Sequence, residues 1–250
     1  MNAWRDRLFA VNVLSRLALL VVLAVAVMGV RSHWLDYRIG FGLLTLLAGP
    51  VLVLLGLSAG VGALALALRQ KERPRLARYL WALAIPLAVG AVYASGIAAA
   101  VRAPPVHDVS TDRIDPPPFS PDVLAARAAV PGANDVEFND TGAYVDLRSL
   151  RAPLPARQTY DLARNVARKQ GWRILREYPQ ELRFEAEAHS ALFGFVDDIA
   201  VRVDPVGASE ALLDVRSASR VGVSDLGANA ARIRAFYREV EATLRRAGAL

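Results

Sequence analysis

Three long apolar runs occupy much of the first 103 residues of the chain. They cover residues 9–30, 39–68 and 79–101. Each run can cross the hydrocarbon layer of a bilayer as a helix, which takes about 20 residues. The second run is longer than that, so we expect it to tilt or to bend at Gly49 and Pro50. The pattern therefore predicts three transmembrane helices in residues 1–103.

The composition of these runs favours a membrane anchor over a transport pathway. None of them contains Asp, Glu or Lys, whereas proton relays and ion pathways need ionisable groups inside the membrane. No small-residue cleavage site follows the first run, which favours a retained helix over a signal peptide. Gly56 and Gly60 form a G-x-x-x-G pattern in the second run, and we favour close packing within the chain over a dimer face.

Residues 122–250 show the periods of an α+β domain. Apolar and polar side chains alternate in residues 182–189, as in a strand with one buried face. A helix predicted over residues 226–246 has an apolar stripe at steps of three and four, made of Leu226, Ala230, Ile233, Tyr237, Val240 and Leu244. Another helix is predicted over residues 155–170, with further strands at 143–147, 172–178, 196–203 and 213–217. This order predicts an antiparallel sheet with two helices on one face.

A proline-rich segment separates these two parts of the chain. We interpret residues 104–121, which hold six of the 14 prolines, as a semi-rigid linker. Residues 122–140 have no clear period, and we expect them to be irregular or briefly helical. The predicted organisation is thus a three-helix anchor (1–103), a linker (104–121) and a soluble domain (122–250) that folds without the anchor.

The charge of the chain is divided between its two parts. The net charge of +6 arises from an excess of basic residues in residues 1–103, whereas residues 104–250 hold 19 basic and 21 acidic residues. The soluble part therefore lacks the basic surface typical of a nucleic-acid partner. The absence of cysteine excludes disulfides, thiolate metal sites and thiol catalysis.

Arginine and lysine are distributed unevenly between the two ends of the predicted helices. The side that holds the N-terminus carries eight, namely Arg5, Arg7, Arg16, Arg69, Lys71, Arg73, Arg75 and Arg78. The other side carries three, namely Arg31, Arg38 and Arg102. Because basic residues favour the cytoplasmic side, we expect a multi-pass protein of the inner membrane with a cytoplasmic N-terminus. Residues 104–250 are then extracytoplasmic, in the periplasm.

Four stretches of sequence resemble the domain-of-unknown-function 1499 family. They are HDVSTD at 107–112, PPPF at 116–119, LFGFVDD at 192–198 and DVRSASRVGVSDLGANAARIR at 214–234. The resemblance covers roughly residues 104–249. Some bacterial members are similar in carrying hydrophobic helices ahead of the domain. The resemblance implies an uncharacterised domain, with no catalytic residues to transfer.

The segment 216–234 is the most promising candidate for a binding surface. Helix N-termini bind anions readily, and polar residues surround the predicted start of the last helix. We expect one connected surface, with a carboxylate of the preceding strand holding an arginine in place. The candidate binding residues are Asp197, Asp198, Arg216, Ser217, Ser219, Arg220, Asn229 and Arg232.

Two acidic patterns have a structural interpretation that we prefer. Asp197 and Asp198 are adjacent in a strand, so their side chains point to opposite faces, which favours a cross-strand ion pair over a shared acid–base site. Four residues near the linker could in principle bind a divalent cation: His107, Asp108, Asp112 and Asp115. Their spacing matches no known cation loop, so we predict no metal and no cofactor.

Two functions from different classes remain open from the sequence. The first is a non-catalytic module, anchored in the cell envelope, that binds an envelope protein, a lipid or a small anion. The second is a membrane-bound hydrolase that uses Asp197 or Asp198. The absence of a nucleophile motif and of His or Cys clusters favours the first, so we assign no catalytic residue.

Overall fold

The computed structural model describes residues 2–70, 76–135, 138 and 141–249. Its backbone divides into two compact units. The helical unit comprises Met1–Ala99 with Ala191–Gly194, and the sheet unit comprises Ala100–Ser190 with Phe195–Leu250.

Within the described residues, three helices are long and apolar enough to span a membrane: Ala3–Arg31, Arg38–Arg69 and Leu76–Arg102. They correspond to helix α1 (Asn2–Arg31), a π-helical segment (Arg38–Ala48) that continues into α2 (Gly49–Arg69), and α3 (Leu76–Arg102). The three predicted membrane helices are therefore confirmed. The change from π to α hydrogen bonding falls beside the predicted bend, where Pro50 has no N–H to donate.

Small and polar residues hold the helical unit together. The buried Asn12 side chain donates from Nδ2 to the carbonyl oxygens of Gly56 (2.7 Å) and Ala82 (3.3 Å), which belong to the two other spans. A Cβ on Gly60 would lie 2.6 Å from Cδ2 of Leu83. The G-x-x-x-G pair thus packs within the chain, as we preferred from the sequence.

The sheet unit contains a six-stranded antiparallel sheet. Its strands are β1 (Asp108–Ser110), β2 (Leu150–Ala152), β3 (Arg173–Tyr178), β4 (Arg183–His189), β5 (Val196–Pro205) and β6 (Ala211–Ser219). The strands run β1-β6-β5-β4-β3 across the sheet, and β2 pairs with β6. In the described part of this unit, three helices accompany them: α4 (Pro121–Ala128), α5 (Ala156–Lys169) and α6 (Ala228–Arg246).

Helices α5 and α6 pack on one face of the sheet over its main apolar core. Ile233, Val240 and Leu244 of the predicted stripe are fully or almost fully buried, and Trp172 stacks on Phe236 with ring centroids 4.7 Å apart. The predicted combination of a membrane helical part and an α+β domain with two helices on one sheet face is confirmed. Leu226 is an exception to the stripe because it precedes α6 and is exposed.

Two local predictions need correction. Residues 143–147 form a turn rather than a strand, because Tyr144 has a left-handed backbone (φ +55°) and its carbonyl accepts the N–H of Leu147. The segment 104–121 supplies β1, which pairs with β6, and buries Val109 and Phe119. The proposed linker is thus a folded part of the sheet unit.

Candidate functional site

Five of the eight candidate residues form a buried network beside the start of α6, which we call the helix-face network. It consists of Asp197, Ser217, Ser219, Asn229 and Arg232. The Asn229 amide is central: Oδ1 accepts from Ser217 Oγ (2.7 Å) and from Arg232 (2.5 Å), while Nδ2 donates to Ser219 Oγ (3.0 Å). Arg232 also pairs with Asp197. Ser217 and Asn229 have no exposed surface, so the centre of this network is internal.

The opposite face of the sheet carries a second network, the opposite-face network, which consists of Arg127, Glu187, Asp198 and Arg220. The Asp198 carboxylate is fully buried and accepts from Arg127 (2.9 Å) and from Arg220 (2.6 Å). Arg220 also lies 3.5 Å from Glu187. The hydrogen bond to Asp198 raises the pKa of the Arg220 guanidinium. These contacts fix α4, which contributes Arg127, against the sheet.

Arg216, the eighth candidate, lies on this same opposite face. It pairs with Asp108 of β1 at 2.7 Å, and its guanidinium lies 4.8 Å from the ring centroid of Phe119. The prediction that the candidate residues form one connected surface is therefore wrong. Because side chains alternate along β6, Ser217 and Ser219 point toward α6 while Arg216 points away from it.

The two adjacent carboxylates diverge, as their positions in a strand predicted. Asp197 meets Arg232 on the helix face, and Asp198 meets Arg127 and Arg220 on the other face. Arg220, which follows β6, thus pairs with Asp198, whereas Arg216 of β6 pairs with Asp108. His189 contacts Glu187 at 2.6 Å.

The acidic residues near β1 also face arginines. Asp108 pairs with Arg216, and both Asp112 and Asp115 pair with Arg202 at 2.9 and 2.8 Å. Among the described residues, no group of three or more His, Asp or Glu side chains is arranged to hold a metal ion. These ion pairs hold the segment 108–115 against β5 and β6.

Several buried polar residues were not predicted from the sequence. Glu185 accepts the backbone N–H (2.5 Å) and hydroxyl (2.6 Å) of Ser120, which caps α4. Asp214 accepts the Thr111 hydroxyl at 2.8 Å, and burial raises the pKa of its carboxyl. A Ser-Pro-Asp run at 120–122 is the one local signal that could have identified this helix start.

An open groove of about 540 Å³ lies between residues 111–114 and residues 145–149. Its apolar part includes the exposed side chains of Ile114 and Val145. Its polar part includes the exposed Arg148 guanidinium, whose Nε donates to the Val145 carbonyl (3.3 Å), and the Asp112 carboxylate, which is paired with Arg202. The groove thus presents an exposed cation beside apolar surface.

These features define a protein with a membrane-spanning helical part and an α+β domain whose charged residues are largely paired. The chain belongs to the family described as protein of unknown function (DUF1499), whose model matches residues 108–240, more than half of the chain. The resemblance found in the sequence is thereby confirmed.

Other comparisons add little. No curated protein matches the chain. One solved structure, described as "Crystal structure of the di-domain ARO/CYC BexL from the BE-7585A biosynthetic pathway", is 18% identical, with 39% of this chain and 43% of that chain covered at a TM-score of 0.29. The chain therefore spans less than half of that protein, and so distant a similarity supports no inference.

Proposed function

We propose that this chain is a protein of the bacterial cell envelope whose domain outside the cytoplasm is a non-catalytic binding module. The observation that supports this most is that Asp197 and Asp198 are each paired with arginine. Each carboxylate is held by arginine, and the two lie on opposite faces of the sheet. These two carboxylates therefore hold the fold together and do not form an acid–base pair with each other.

The alternative, a membrane-bound hydrolase using Asp197 or Asp198, would need a carboxylate that reaches substrate. General acid–base catalysis requires a group within hydrogen-bond distance of the reacting atoms. Asp198 has no exposed surface, and Asp197 is 6% exposed. Substrate contact would therefore require the ion pairs to open, which weighs against this alternative.

The extracytoplasmic position of the domain is supported by charge. Eight basic residues on one side of the spans against three on the other favour a cytoplasmic N-terminus. Lys71, Arg73 and Arg75, which belong to the eight, lie outside the described residues. With three spans between the N-terminus and residue 104, the domain emerges on the far side of the inner membrane.

The predicted binding residues support binding indirectly under this proposal. The helix-face network fixes the start of α6, and the opposite-face network fixes α4. Arg220 and Arg232 retain some exposure, with side chains 12% and 15% exposed. A ligand would contact the groove between residues 111–114 and 145–149 directly. The groove suits a partner that has a polar or anionic group beside an apolar part.

In-cell photo-crosslinking of the full chain tests this proposal. A photo-reactive residue replaces Arg148 in the groove or, as a matched control, the exposed Arg245 on α6. We expect a discrete product from position 148 and none from position 245. The mass of the product distinguishes an envelope protein from a lipid or a small ligand. Equal capture at both positions would contradict the proposed binding site.

The same experiment separates binding from hydrolysis. Asp197→Asn keeps the shape of the side chain and an acceptor for Arg232, but it removes the carboxylate. A binding module should capture the same amount of product with and without this substitution. A hydrolase deprived of its carboxylate should accumulate captured substrate well above the wild-type level, and that result would favour the enzyme.

A further inference from the structure

The loop 222–227, between β6 and α6, exposes two large apolar side chains. Val223 is 78% exposed and Leu226 is 46% exposed. Single exposed apolar residues are common on protein surfaces and indicate nothing by themselves. These two residues are of interest because the loop lies beside the residues that follow α3.

The loop is hydrogen-bonded to the residues that immediately follow α3. Ser224 Oγ donates to the Pro104 carbonyl (3.3 Å), and the Asp225 N–H donates to the Val106 carbonyl (3.1 Å). Arg102 is the last residue of α3 and of the third candidate span. Because consecutive Cα atoms are about 3.8 Å apart, Pro104 lies within about 8 Å of that residue. The loop is thus tied to the point where the chain leaves the membrane.

The conformation of the loop is fixed by further contacts. The Asp225 carboxylate accepts the backbone N–H groups of Gly227 (2.8 Å) and Asn229 (2.7 Å). Asn134 donates to the Gly222 carbonyl at 2.7 Å. Leu226 adopts a left-handed backbone (φ +54°), which leucine rarely populates. A constrained backbone thus holds these apolar side chains outward rather than in the core.

We propose that the loop 222–227 inserts Val223 and Leu226 into the interfacial layer of the bilayer from which α3 emerges. The polar interfacial region of each leaflet is roughly 5–8 Å thick. A loop bonded to Pro104 and Val106 lies close enough to the end of the span to reach it. The partner is the lipid surface itself, and the contact would limit rotation of the domain about its tether. The contact with the bilayer does not depend on what the groove binds.

Single-cysteine labelling of the full chain tests the proposal, because the chain has no cysteine of its own. Val223→Cys carries a fluorescent label in vesicles of phosphatidylethanolamine and phosphatidylglycerol. Val206→Cys is the matched control, because Val206 is also an exposed valine. It follows Pro205, which pairs with Ala211 at the end of β6 that lies away from the loop 222–227. Quenching by spin-labelled lipid and by aqueous iodide is measured at each position.

We expect lipid quenching at position 223 to exceed that at position 206 several-fold, with iodide showing the reverse order. Both substitutions replace exposed side chains, and circular dichroism verifies that each variant is folded. Equal quenching at the two positions, by either reagent, would overturn the proposal. Leu226→Ser in the Val223→Cys chain provides a second test, because losing the companion apolar group should reduce the lipid quenching.

Discussion

Asp197 and Asp198 are consecutive in β5, and their carboxylates lie on opposite faces of the sheet. Asp197 pairs with Arg232 of α6, and Asp198 pairs with Arg127 of α4. One dipeptide therefore connects the sheet to the helices that cover it on both sides. Two adjacent acidic residues of a strand can thus each hold a helix against one face of the sheet.

The boundary of the autonomous domain provides the first prediction. A fragment of residues 104–250 should give a well-dispersed amide NMR spectrum, whereas residues 122–250 should give a poorly dispersed one. The shorter fragment lacks β1 and the Thr111 hydroxyl that bonds Asp214, and it leaves the buried Glu185 without Ser120. Equal dispersion and equal melting temperatures for both fragments would show that β1 is dispensable.

The Asp198 ion pairs should be important for stability. Asp198→Ala removes the carboxylate that Arg127 and Arg220 share, so that these largely buried guanidinium groups keep only carbonyl oxygens and the more distant Glu187 (3.5 Å). Breaking a buried pair costs about 3–5 kcal/mol. Urea unfolding of the 104–250 fragment, followed by Trp172 fluorescence, measures the loss. Glu210→Ala, which removes an exposed partner of Arg151, is the control and should barely change the midpoint. Similar small losses for both variants would contradict a structural role for Asp198.

Much of this architecture follows from local periods in the sequence. The membrane spans, α5, α6 and the alternation of β4 depend on neighbouring residues, and so does the divergence of Asp197 and Asp198. Strand β1 has three residues, too few to show a period, and its pairing with β6 joins residues more than 100 positions apart. The turn at 143–147 depends on the left-handed Tyr144, which its composition does not reveal.

The candidate site was harder to predict for the same reason. Whether Arg216 or Asn229 is exposed depends on partners distant in the chain, such as Asp108 and the His107 carbonyl. The candidate residues are buried on two separate faces because side chains alternate along β6 and because α4 covers the second face. A brief helix was one of the expectations for this part of the chain, but its packing on the sheet was not predicted.

The pH dependence of stability should reflect Asp214. Burial raises the pKa of this carboxyl above its ordinary value of 3.8, so the folded state holds the proton more tightly than the unfolded chain. Its contribution is complete below pH 3.8 and is lost as pH rises through the folded pKa. The change in melting temperature that Asp214→Asn causes should therefore be more favourable at neutral pH than at pH 3.8.

Glu187 provides a control of opposite sign for this pH dependence. Burial tends to raise the pKa of its carboxyl, but hydrogen bonds from His189 and Arg173 outweigh burial and lower it. Its contribution is present above its unfolded pKa and is lost as pH falls through the folded value. Glu187→Gln should therefore lower the melting temperature most at neutral pH. A melting difference for Asp214→Asn that does not change with pH would contradict the role of burial at Asp214.

Packing in the membrane part can be tested with two glycines. A Cβ on Gly60 would lie 2.6 Å from Leu83 Cδ2 and 2.8 Å from Asn12 Nδ2, whereas a Cβ on Gly96 meets nothing within 4 Å. Gly60→Ala should destabilise the helical unit by about 1–3 kcal/mol through overpacking. Gly96→Ala should be neutral or slightly stabilising. Thermal unfolding of the detergent-purified chain compares the variants, and equal effects would argue against close packing at Gly60.

The proposal that the folded domain lies outside the cytoplasm is tested most directly by labelling single cysteines in living cells. The variants are Val206→Cys in the sheet unit and Ala3→Cys near the N-terminus, treated with a membrane-impermeant maleimide while the cytoplasmic membrane is intact. We predict that the Val206→Cys chain is labelled in intact cells and that the Ala3→Cys chain is labelled only after lysis. Labelling of Ala3→Cys with protection of Val206→Cys would place the domain in the cytoplasm and contradict this topology.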